Sequence, residues 1–183
     1  EDLIATFRKA GEFQKFFRLN WNDEWVAIEN DFQALRGIAS TGEYVVVVQK
    51  ADELKERLAA LLNKRETLIR DTAGLKARLD ALTADPKADT FSQNFPDRHQ
   101  KIIFRRDSSN LAAERESLLE ALRGYTEAHD LLAAGIQELG DIEKEARRLR
   151  DRCAEIRRRY GHGIRAFRPR ALQEVEELEA KAS

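Results

Sequence analysis

Three histidines, one cysteine and a run of arginines are the residues of this chain with the most chemistry to offer. His99, His129 and His162 are of a type that ligates metals or moves protons near neutral pH, and Cys153 is the only thiol. Their placement argues against a shared centre. His99 falls in a polar break, His129 on an apolar helical seam and His162 in a Gly-His-Gly turn, which an extended hairpin holds tens of ångströms apart. His129 therefore reads as a register residue and Cys153 as a small seam hydrophobe. Trp21 and Trp25, four residues apart, suit core packing better than ligand stacking. Acidic neighbours such as Asp52 and Glu53, or Glu143 and Glu145, belong to solvated faces where Lys and Arg pair with them. The chain has no phosphate-binding Walker loop, Gly-x-Gly-x-x-Gly, Gly-x-Ser-x-Gly or His-Glu-x-x-His pattern. The expectation is a non-enzyme without metal, cofactor or small-molecule ligand.

The arginines reach further. Arg147, Arg148, Arg150, Arg152, Arg157, Arg158, Arg159, Arg165, Arg168 and Arg170 stand in one stretch with only Asp151 and Glu155, a net charge of +8. The planar guanidinium fork suits phosphate, so nucleic acid or an anionic membrane is one reading of this patch. Residues 107–146 carry 10 acidic and 3 basic residues, a net −7. Two copies with these helices antiparallel would set the acidic half of one against the basic half of the other. The last stretch, Ala171 to Ser183, returns to −3 and is a second candidate to fold onto the arginines.

Long helices must position these groups. Of the 183 residues, 36% are charged and 3 are proline, a composition typical of helical rods. From Leu54 the leucines recur every seventh residue through Leu61, Leu68, Leu75 and Leu82, with Leu58 and Leu79 as companions and Arg65 and Thr72 in the middle of the companion row. Leu118, Leu122, Leu132 and Ile136 continue a similar seam. Half of the 14 aromatics lie before residue 36, where two short amphipathic helices should break near Asn20-Trp21-Asn22. Tyr44 to Val48 is β-branched, but no breaker separates it from the heptads, and helix is preferred.

The fold class expected is all-α: an elongated antiparallel helical hairpin or coiled coil with an aromatic-rich helical cap over 1–42. A long helix over 43–83, a tip loop over 84–100 and a second long helix over 101–160 follow, with Pro96 or residues 107–110 starting the second. Gly140 should bend or locally overwind it, and residues 161–183 form a Gly/Arg turn and a short acidic helix. The whole reads as a single elongated domain, a fragment of a larger protein. One cysteine fits a reducing compartment and a cytoplasmic location. The plan resembles the elongated helical dimers of BAR domains, although the tip, 85–98, is acidic or mixed where such a tip would be basic. The function expected is a scaffold or assembly module that binds protein, most simply as a homodimer, through the seams of Leu54, Leu58, Leu61, Leu68, Leu75, Leu118, Leu122, Leu132 and Ile136.

Overall fold

The computed structural model describes residues 2–40 and 44–160, with positions 177 and 180. Among them stand six helices and no strand: α1 (Asp2–Gly11), α2 (Gln14–Ala39), α3 (Tyr44–Thr83), α4 (Pro86–Asn94), α5 (Pro96–Glu114) and α6 (Leu118–Tyr160). The fold is all-α, and the valine run is helical. Of the expected turn and acidic helix over 161–183, only positions 177 and 180 lie among the described residues.

The leucine seam of α3 is buried in two instalments. Leu54, Leu58, Leu61 and Leu68 share one core with Phe16, Phe17, Trp25, Ile28 and Phe32 of α2, with Phe7 of α1 packed against it. Leu75 and Leu79 share another with Phe91 of α4, Ile102 and Ala112 of α5, and Ala121, Tyr125, Leu132 and Leu139 of α6. Exposed ion pairs add little stability, but they mark the register. Arg57 with Asp31, and Lys64 with Glu24 at 2.6 Å, set α2 antiparallel to α3. Lys55 with Asp2 places the start of α1 beside the first turn of the heptads. Arg105 with Glu127 at 3.3 Å and Arg98 with Glu138 at 2.7 Å set α5 antiparallel to α6.

Here the hairpin expected from sequence is corrected. The tip, 84–100, is not a loop: Asp85 caps α4 by accepting from the Lys87 N–H at 2.8 Å, Pro86 opens that helix and Pro96 opens α5. The helix expected over 101–160 is two helices, because the chain reverses at 115–117. As a result α6 runs parallel to α3: Leu118 packs with the core of Leu68, whereas Leu139 shares the core of Leu79. The antiparallel pairs are α2 with α3 and α5 with α6. Gly140 does not interrupt the helix, since α6 continues from Leu118 to Tyr160, about 65 Å at 1.5 Å per residue. Nearer the start, the expected break at Trp21 is real, with φ −146° and ψ 56° inside α2, and a further one separates α1 from α2.

The reversal at 115–117 is a Schellman closure. The Ser117 N–H donates to the Ala112 carbonyl at 2.9 Å and the Glu116 N–H to the Ala113 carbonyl at 3.0 Å. Glu116 takes the left-handed position, φ 66°, where glycine is usual. Asn20, on α2 just before the kink, holds this turn. Its Nδ2 donates to the Phe16 carbonyl at 2.9 Å and to the Glu116 carbonyl at 2.8 Å, and its Oδ1 accepts from the Leu119 N–H at 2.9 Å. A buried side chain 99 residues away thus satisfies one of the orphan donors at the start of α6.

Two glycines allow close helix contact. A methyl group on Gly135 would lie 2.4 Å from Cε2 of the buried Phe91 ring, and one on Gly124 would lie 2.1 Å from Ser109 Oγ; at Gly140 nothing lies within 4 Å. Gly140→Ala should raise stability by about 1 kcal/mol through helix propensity, whereas Gly135→Ala should lower it by about 1–3 kcal/mol through overpacking against Phe91. Urea unfolding of the two variants checks the contrast in sign. Asn20→Ala should cost about 2–3 kcal/mol, since it strands a buried carbonyl and an N–H. Asn20→Asp should cost at least as much, because a carboxylate has no N–H to give; an aspartate variant as stable as the wild type would show that the two Nδ2 bonds do not matter.

Candidate interaction surfaces

The residues named for an interaction seam are largely consumed inside the chain. Leu54, Leu58, Leu61, Leu68, Leu75 and Leu132 are buried, and Leu118, Leu122 and Ile136 are half-buried against the two cores. A partner would not meet them. The polar middle of the seam has a distinct role at the point where one core gives way to the other. The Arg65 guanidinium lies 3.8 Å from the Phe13 ring centroid and 5.3 Å from that of Phe16, a cation–π contact that lets a charged residue occupy a seam position. Thr72 is 5% exposed, and its buried hydroxyl has no hydrogen-bond partner among the described residues.

Thr72 lines a cleft of about 470 Å³ walled by α3 (Ile69, Ala73, Lys76) and α5 (Asn110, Ala113, Glu114) and floored by Leu118 and Tyr125 of α6. The Tyr125 hydroxyl donates to Asn110 Oδ1 at 2.7 Å. Burial, and then the carboxylates of Asp80 and Glu114, push its pKa above the usual phenol value, so the donor stays protonated. The cleft is a seam between helices with one fixed hydrogen bond, and it gathers neither a nucleophile–base pair nor a metal set. No group of three or more His, Cys, Asp or Glu side chains that could hold a metal occurs among the described residues.

The histidines lie closer together than an extended hairpin implies. Because Arg98 pairs with Glu138, His99 stands about two turns of α6 from His129. His129 Nδ1 is 3.1 Å from Asp130 Oδ1, its neighbour in sequence. His162 is outside the described residues. Trp25 is stacked on Phe17 at 5.2 Å and on Phe7 at 5.9 Å, the core role expected of it, and Trp21 meets Phe16 edge-on at 5.9 Å.

Two surfaces are exposed among the described residues. The first is the start of α3. Since α1 begins only beside Lys55, the first turns of α3 run past it, and Tyr44, Val45 and Val48 are 74%, 74% and 60% exposed. Sequence reading took this run as a helix without finding that it lies bare, since bareness depends on where α1 begins. The second is the arginine-bearing end of α6, where Arg147, Arg148, Arg150, Arg152, Arg157, Arg158 and Arg159 are all exposed. Arg148 pairs with Glu145 at 3.6 Å and Arg159 with Glu155. Arg165, Arg168 and Arg170 lie outside the described residues. The acidic half is partly spent within the chain, Glu127 and Glu138 on α5 and Asp141 on Lys144. No helix among the described residues is long and apolar enough to cross a membrane. Comparison with protein-family models, with curated proteins and with solved structures finds no match for this chain.

Thr72→Val keeps the shape of the side chain and removes the unpaired hydroxyl, so it should raise stability by about 1 kcal/mol. Thermal unfolding reads the change; a lower melting temperature in the valine variant would mean that the hydroxyl has a partner in solution.

Proposed function

We propose that this chain is a non-catalytic helical assembly module that associates with a second copy through the open end of α3. The bare run of Tyr44, Val45 and Val48 carries the reading: contiguous exposed apolar side chains on a helix end cost free energy in water and mark contact surfaces. Only the end of α2 accompanies α3 there. Two such two-helix ends meeting about a two-fold axis make a four-helix contact in which each copy covers the other's valines. The patch is smaller than the roughly 800 Å² per partner of a standard interface, so the dimer is weak and concentration-dependent.

The arginine end of α6 supports the alternative partners, nucleic acid or an anionic membrane, through its seven exposed guanidinium groups. Light scattering behind size exclusion over a dilution series separates these readings when repeated with a DNA duplex and with anionic vesicles. The expected result is a dimer that falls apart on dilution and a Val45→Lys, Val48→Lys double variant that stays monomeric. A monomer at every concentration that binds either polyanion, more weakly as salt rises, would move the function to the arginines.

A further inference from the structure

Helices α3 and α5 both pack on α6 but hardly on each other. The space left between them is the cleft of about 470 Å³ that Thr72 lines, within the size range of small-molecule sites. Alanines hold it open: Ala73 on one wall and Ala113 on the other present only a methyl group where a longer side chain would close the gap. Thr72 is the polar group there without a partner. Thr6, Thr83, Thr90 and Thr126 each turn the hydroxyl back onto the carbonyl four residues earlier, at 2.8–3.3 Å. Thr72 does not take this bond, although its side chain is buried and its hydroxyl has no other partner among the described residues. A buried hydroxyl left in that state is costly in free energy, and the rotamer that Thr83 uses at the end of the same helix would relieve it.

We propose that the cleft binds a neutral aromatic molecule of one or two rings with a single hydroxyl or carbonyl oxygen, and that this oxygen accepts from the Thr72 hydroxyl. Leu118 and the Tyr125 ring give the cleft an apolar floor, on which the ligand ring lies between the two alanines and shuts water out of the pairing. Tyr125 does not take the ligand oxygen in place of Thr72, because its own hydroxyl already donates to Asn110 Oδ1 at 2.7 Å. Lys76 and Glu114 contribute one charge of each sign, so the lining as a whole is neutral and favours an uncharged occupant. The site lies in the middle of α3, away from the bare turns at its start, and does not depend on the self-association proposed for them.

Phenol and toluene have nearly the same shape and differ by a hydroxyl in place of a methyl group. Titrated into the isotope-labelled full chain, both should shift the backbone amide resonances of Ala73, Ala113 and their neighbours. Toluene is the more hydrophobic of the two against every variant alike, so the ratio of the two affinities isolates the hydrogen bond. That ratio, phenol over toluene, should fall about tenfold in Thr72→Val, which keeps the shape of the cleft and removes the donor. Ala113→Leu fills the gap and should lose both ligands, with helix content and the unfolding transition retained. An unchanged ratio in the valine variant would overturn the proposal. So would binding that survives in Ala113→Leu, or a wild-type spectrum in which phenol leaves the amides around the cleft unshifted.

Discussion

A helix of 40 residues with a leucine stripe from Leu54 to Leu82 sets the terms for everything else in this molecule. At about 60 Å, α3 is longer than any one of its neighbours covers. Its stripe is therefore buried in two halves, by α1 and α2 at the start and by α6 with α4 at the end. Burying one leucine side chain is worth about 1.5–3 kcal/mol, so leaving either half bare would outweigh any cap, turn or ion pair described above. The handover between halves falls at Arg65 and Thr72, where the stripe has no leucine in its companion row. Arg65 spends its charge on the faces of Phe13 and Phe16.

Two cores in series need a joint that keeps them from moving apart, and Asn20 provides it. Its two hydrogen bonds with the Glu116 carbonyl and the Leu119 N–H tie α2 to the turn that begins α6, while the third, to the Phe16 carbonyl, stays within α2. The backbone of that turn is strained at Glu116, where a left-handed conformation costs about 1–2 kcal/mol. The Asn20 bonds and the two Schellman bonds together, each worth about 1 kcal/mol, outweigh that cost. Lys15 beside the Glu116 carboxylate at 3.0 Å adds little, because both side chains are exposed.

Much of this was legible in sequence where spacing alone decides. The heptad leucines of α3, the aromatic packing before residue 36 and the break at Trp21 follow from periodicity and local propensity. The reversal at 115–117 did not show itself because its left-handed residue is a glutamate, so the usual glycine signal is missing; Ser117 followed three residues later by Glu120, whose side chains lie 3.2 Å apart, was the one available sign of a new helix start. A single glycine costs only about 1 kcal/mol, which a 43-residue helix absorbs without breaking. Of the surfaces, the arginine run was visible at once. The bare valines were not, since their exposure depends on a tertiary fact, the level at which α1 begins along α3.

Because α6 is one unbroken helix from its bond with Asn20 to Tyr160, it is mechanically a lever with its fulcrum at Leu139, where it leaves the second core. Its first half is clamped between α3 and α5, and its second half reaches past both cores. A helix this long transmits rotation stiffly, so a tilt of about 10° at Leu139 displaces the far end by about 5 Å. A rearrangement too small to disturb either hydrophobic core would thus be read out as a large movement of the guanidinium groups at the tip.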